Sequence, residues 1–187
     1  MSRPVTSFKP MYRILVVSSM IAVAVAARLL PHPPNFAPIG AVALFAGAAF
    51  ADRRLAFAVP LAAMILSDLF LHVHELLPVV YGSFALSVIL GRFLRGRRRF
   101  LPTTAMTLLG SLQFFLITNF GCWLLYYPHT WPGLTECYIA ALPFFRNSVL
   151  GDLFYVGLLF GGLAVLERTF SVLREPIPEQ GVGVVQS

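Results

Sequence analysis

Apolar residues fall into six runs, over residues 12–30, 38–51, 55–73, 77–94, 103–126 and 143–167, and the stretches between them are short and rich in arginine, proline or aromatic rings. A helix needs about 20 apolar residues to cross a hydrocarbon core of about 30 Å. The pattern therefore predicts an all-α membrane protein, a six-transmembrane-helix bundle over residues 12–168. A cytoplasmic N-terminal segment at 1–11 precedes it, and a cytoplasmic, disordered tail at 169–187 follows, with Pro, Gly and Gln after Glu175. The second run is the shortest. As a helix it reaches only about 21 Å, so it must tilt, borrow flanking residues or sit inside the bundle. The first run has the basic flank of a secretion signal, in Arg3, Lys9 and Arg13, but it is too long for one and more spans follow, so it is expected to be retained.

Composition agrees with lipid as the solvent. Hydrophobic residues make up 58% of the chain and charged residues 12%, and mean hydropathy is +0.79. A water-soluble domain of 187 residues cannot hide that much apolar surface. The net charge of +6 would suit nucleic acid, but all the basic residues except Lys9 are arginines, and they cluster between apolar runs instead of along one face. They are topology signals, so the expected partner is the bilayer and not nucleic acid.

With a cytoplasmic N-terminus, alternate loops place Arg3, Lys9, Arg13, Arg53, Arg54, Arg92, Arg95, Arg97, Arg98, Arg99, Arg168 and Arg174 inside. Only Arg28 and Arg146 then lie outside. This positive-inside bias predicts a multi-pass inner-membrane protein with both termini cytoplasmic, and it supports an even number of spans.

Polar groups at bilayer depth are the informative ones, because each ionisable side chain there is costly unless paired or hydrated. Asp68 closes the third run and Asp152 lies deeper in the sixth, where Ser148 shares its face at i, i+4 spacing. Gln113 and Asn119 interrupt the fifth run, and Arg146 and Asn147 open the sixth. Nearly all fall in the outer half, which suggests a pocket that opens outward. The outer connections fit such a pocket: residues 31–38 are stiffened by proline, and residues 126–138 form an aromatic, proline-bearing loop suited to a lid. The candidate ligand-binding residues are Asn35, Phe36, Asp68, Asn119, Trp123, Tyr127, Arg146, Asn147 and Asp152.

Plainer roles compete for the same residues. Each aromatic taken singly is first an interfacial anchor. Asp68 and Asp152 could pair with Arg28 and Arg146 between helices, and Gln113 and Asn119 could only bridge helices. Cys122 and Cys137 both fall on the outer side, where a disulfide between them is permitted but free thiols are an equal alternative. His72, His74 and Glu75 look like a metal cluster, yet two histidines at i, i+2 do not share a helical face, so no metal is expected. Ala22, Ala26 and Ala27 in the first run, Ala43 and Gly47 in the second, and Gly157, Gly161 and Gly162 in the sixth allow close helix approach, either within the bundle or against a second membrane protein. No G-x-S-x-G, H-E-x-x-H, Gly-rich phosphate loop or paired C-x-x-C occurs, so neither catalysis nor ATP or other cofactor binding is expected.

Four segments carry a family resemblance: residues 33–39 (PPNFAPI), 64–68 (MILSD), 127–134 (YPHTWPGL), and 137–148 (CYIAALPFFRNS) followed by Gly151-Asp152-Leu153. They resemble an uncharacterised bacterial family of transport proteins, which is itself similar to the substrate-binding S components of energy-coupling factor (ECF) transporters. The likeness covers roughly residues 12–168, and the last segment is the most specific. It implies a six-helix bundle that captures a vitamin-like micronutrient from outside. Such a bundle delivers the ligand by toppling against a transmembrane coupling protein driven by two ATPases. In that scheme small residues of the first span, here Ala22 and Ala26, form the contact face. The function expected is thus the substrate-binding subunit of an uptake transporter, with a non-transporting structural or accessory subunit as the alternative.

Overall fold

A computed structural model of the chain describes residues 9–71 and 75–174. The ends of the N-terminal segment and of the tail, together with His72 and His74, lie outside the described residues. The described chain is helical throughout: α1 (Lys9–Ala26), a 3-10 turn (Ala27–Leu29), α2 (Ile39–Ala49), α3 (Arg53–Asp68), α4 (Leu77–Phe93), α5 (Phe100–Tyr126), α6 (Trp131–Thr169) and a last 3-10 turn (Ser171–Leu173). Each of the six α-helices falls on one apolar run. Three stretches, Met11–Leu29, Phe100–Tyr126 and Trp131–Thr169, are long and apolar enough to cross a membrane.

The packing of α5 reveals the solvent its exterior suits. Its buried positions are Thr103, Thr107, Gly110, Ser111, Thr118 and Gly121, whereas Leu101, Leu108, Leu112, Leu116, Phe120 and Leu124 are exposed. A helix of a soluble protein does the reverse. In lipid the arrangement is favourable, because leucines meet acyl chains and the buried hydroxyls bond back to their own helix, Thr107 to the Thr103 carbonyl at 2.8 Å and Thr118 to the Phe114 carbonyl at 2.7 Å.

At the centre of the bundle runs α2, buried on every side from Ala41 to Ala49. Its 11 residues span about 16 Å, too short to stand alone in lipid, and burial is the solution the fold adopts. Gly47 meets Gly91 of α4 backbone to backbone: a Cβ on Gly91 would lie 2.9 Å from the Leu44 carbonyl carbon and 3.1 Å from Gly47 Cα. Glycine is required on both sides because packing, not a hydrophobic effect, holds helices together in lipid. The small residues of α2 therefore serve internal packing, while Gly157 and Gly161 of α6 have nothing within 4 Å of an added Cβ.

The arginines collect at the C-terminal end of α2. Arg92 donates to the Phe50 carbonyl at 2.9 Å, Arg95 to the Ala51 carbonyl at 2.6 Å and Arg13 to the Ala49 carbonyl at 3.4 Å. Cations at the negative end of a helix dipole are favourable. Arg13 and Arg98 also converge on Glu167, and Arg174 donates to the Glu167 carbonyl at 2.8 Å. Residues assigned to one membrane side from charge counting thus occupy one end of one bundle.

The aromatic loop expected over residues 126–138 is the main correction. Only residues 127–130 are non-helical, and α6 starts at Trp131 and continues for 39 residues, about 58 Å. Thr130 caps it by accepting the Gly133 N–H at 3.2 Å, and Pro132 sits in the first turn, where a missing N–H loses nothing. What looked like loop chemistry is a helix start. Pro143, inside α6, marks where this extra arm joins the expected span.

Candidate functional site

At the end of the bundle away from the arginines, a cavity of about 420 Å³ lies between the 31–38 connection, the start of α4, the last turns of α5 and the first half of α6. That volume is in the range of small-molecule sites. Phe114 and Phe115 of α5 and Phe144 and Phe145 of α6 line the cavity, together with Leu76, Val80, Ala140 and Ala141. Phe115 packs on Phe145 with ring centroids 4.6 Å apart, and on Tyr138 at 5.5 Å. The polar groups are Asn35, Thr118, Asn119, Tyr127, Ser148 and the thiols of Cys122 and Cys137.

The 31–38 connection is fixed over this cavity. Asn35 adopts φ 61°, the left-handed region that asparagine tolerates better than most residues. The Phe36 N–H donates to the Pro33 carbonyl at 3.0 Å, its ring packs on Phe154 and Tyr155, and the Asn147 amide donates to the Pro34 carbonyl at 2.9 Å. Phe36 and Asn147 therefore hold the rim in place and do not form the wall.

A smaller void of about 80 Å³ shares Asn35, Phe114 and Ser148 with the cavity and reaches Asp152. The Asp152 carboxylate is 7% exposed. One oxygen accepts the Ala41 N–H at 3.1 Å, and the other accepts the Ser111 hydroxyl at 2.7 Å. Ala41 belongs to the first turn of α2, whose N-terminus favours an anion. Gly40 makes the approach feasible, since a Cβ there would lie 2.5 Å from Asp152 Oδ1. Asp152 thus ties α6 to α2 and α5 and also floors the annex.

Among the residues singled out from sequence, the structure brings Asn35, Asn119, Tyr127 and Asp152 to this connected space. Asp68 is elsewhere, between α1, α3 and α4, where Arg28 pairs with it at 2.6 Å and the Tyr81 hydroxyl donates at 2.6 Å. The expected interhelix pair is therefore real for Asp68, while Asp152 takes a backbone amide and a serine instead of Arg146. Arg146 is exposed and lines neither void. Trp123 clamps the α5–α6 turn, donating from its indole to the Pro128 carbonyl at 2.9 Å, with the His129 ring edge-on at 5.3 Å. Gln113 bridges helices, giving its amide to the Ser83 carbonyl and the Ser87 hydroxyl. Cys122 and Cys137 are free thiols, and Cys137 Sγ donates to the Asn119 carbonyl at 3.4 Å. Ala22 and Ala26 are exposed and line an open apolar groove of about 210 Å³ with Ala63, Leu66 and Phe70 of α3 and the residues after it.

Sequence reasoning missed Ser111, Gly40 and the Phe114–Phe115 wall. The signal for Ser111 was present: Thr103, Thr107, Ser111 and Thr118 form one face of an otherwise leucine-rich helix. No such regularity marks Gly40.

Together these features define a helical bundle of membrane type with an aromatic-lined cavity at one end and an arginine cluster at the other. Residues 8–174 match a family described as a family of unknown function, DUF6580, and the chain belongs to that family. Neither a curated protein nor a solved structure matches the chain.

Proposed function

We propose that this protein is the integral membrane substrate-binding subunit of a micronutrient uptake transporter. All six helices enter the inner membrane, with the arm of α6 before Pro143 reaching beyond its hydrocarbon core, both termini are cytoplasmic, and a vitamin-like ligand enters from the outer side. The observation that carries this is the position of the aromatic-walled cavity, at the end opposite the arginines. By the positive-inside rule that end faces outward. The resemblance to ECF S components supports the same direction of capture. In this scheme the groove containing Ala22 and Ala26 receives a transmembrane coupling protein with its ATPases, since small exposed residues permit close helix approach.

The test is a thermal-shift screen of the purified full chain in detergent against vitamins, cofactor precursors and metal chelates. A specific ligand at 100 times its Kd should add about 2.7 kcal/mol of stability. A screen with no stabilising compound overturns the proposal. A structural or accessory subunit is the second reading. The same exposed alanine groove and the outward Gly157 and Gly161 favour it, and it predicts co-purification with a membrane partner and no ligand response.

A further inference from the structure

The cavity and its annex differ in chemistry, and the difference constrains the ligand. The cavity wall is aromatic and aliphatic with a few amides, hydroxyls and thiols, and the annex carries one carboxylate in its lining, that of Asp152. Among the described residues no lysine, arginine or histidine lines either void. The basic groups nearest in sequence point elsewhere: Arg146 is exposed outside the wall, and His129 Nε2 is engaged with the Leu124 carbonyl at 2.9 Å. Asp152 uses only two hydrogen bonds, to Ala41 N–H and the Ser111 hydroxyl, whereas a carboxylate can accept about four. Because Asp152 lines the annex, its unused acceptor capacity is what a donor placed there would meet.

Resting on the binding role proposed above, we infer that the ligand is a flat aromatic compound bearing a cationic nitrogen that donates to Asp152, and that compounds with a carboxylate or phosphate at that end are rejected. A buried anion attracts a cation strongly where water is scarce and repels a second anion equally strongly. The aromatic walls add favourable contacts to a ring and to a cation beside it. Rejection of anions is as much a part of recognition here as attraction, because no cationic side chain among the described residues lines the voids and the α2 N-terminus already faces the Asp152 carboxylate.

The experiment uses matched triplets of primary amine, neutral amide and carboxylate on phenyl, indole and naphthalene scaffolds. Their binding to the purified full chain is measured by thermal shift and isothermal titration. The expected result is a preference for amine over carboxylate of at least about tenfold on the scaffold that fits. The preference should vanish in Asp152→Asn and also in Ser148→Lys, whose ammonium would occupy the annex and pair with Asp152. The wild-type preference is read without any variant, so misfolding of Asp152→Asn leaves the decision intact. Equal or tighter binding of a carboxylate overturns this inference and leaves the binding role standing. Binding by no member of any triplet overturns this inference, and combined with a silent vitamin screen it overturns the binding role as well.

Discussion

Replacing Gly91 with alanine probes the contact on which the bundle is centred. The new Cβ would lie 2.9 Å from the Leu44 carbonyl carbon, closer still to its oxygen, and 3.1 Å from Gly47 Cα, where ordinary contacts begin at 3.4 Å. The obstacle is backbone, so no side chain can swing aside, and α2 and α4 must separate by about an ångström or more to clear the Leu44 carbonyl oxygen. Overpacking of this kind costs about 1–3 kcal/mol, and the higher helix propensity of alanine returns up to about 1 kcal/mol. A net loss of about 2 kcal/mol lowers the folded-to-unfolded ratio roughly thirtyfold. The assay is SDS-induced unfolding in mixed micelles, followed by circular dichroism. Gly161→Ala is the control, since its Cβ meets nothing within 4 Å, and it should be neutral or slightly stabilising. Gly47→Ala combined with Gly91→Ala should cost less than the sum of the single changes, because both act on one interface. Equal stability of Gly91→Ala and Gly161→Ala would refute the packing argument.

Other consequences follow from the polar contacts. Asp68→Asn leaves Arg28 with a side chain only 15% exposed and no counter-charge, so it should destabilise by about 3 kcal/mol while ligand affinity, measured by titration, stays unchanged. A drop in affinity without loss of stability would place Asp68 at the binding site after all. Cys122 lines the cavity and is the more accessible of the two free thiols. Maleimide should therefore label it faster than Cys137, and a bound ligand should slow it; a ligand-independent rate would mean that the ligand sits elsewhere. Gly40→Ala should push Asp152 off the Ala41 amide, weakening amine binding more than it lowers thermal stability, as comparison of titration with unfolding would reveal.

The helices were legible in the sequence because burial in lipid and burial in protein both select long apolar runs. Arginine placement was equally readable, and it agrees with the contacts of Arg13, Arg92 and Arg95 at the end of α2. The start of α6 was misread because proline and glycine mark loops and first helical turns alike. Only the Thr130 cap, followed by Pro132, separates the two cases. The site was half legible. Asn119 and Asp152 stood out because polar groups are conspicuous in apolar helices, but the same rule pointed to Asp68 and Arg146, one of which pairs across helices while the other faces outward. One-dimensional depth cannot tell which flank of a helix a residue occupies. Phe114 and Phe115 were invisible for the opposite reason, since a phenylalanine in a membrane helix carries no distinguishing signal until its neighbours are placed.

Native mass spectrometry of the full chain, purified gently from its producing cells, addresses the cavity itself. The account predicts a single non-lipid adduct, one per chain, that is absent from Ala140→Trp, a variant whose indole would fill the cavity beside Phe144 and Tyr127. Folded protein that carries no such adduct and accepts none of the screened micronutrients, or one whose adduct persists unchanged in Ala140→Trp, would contradict it.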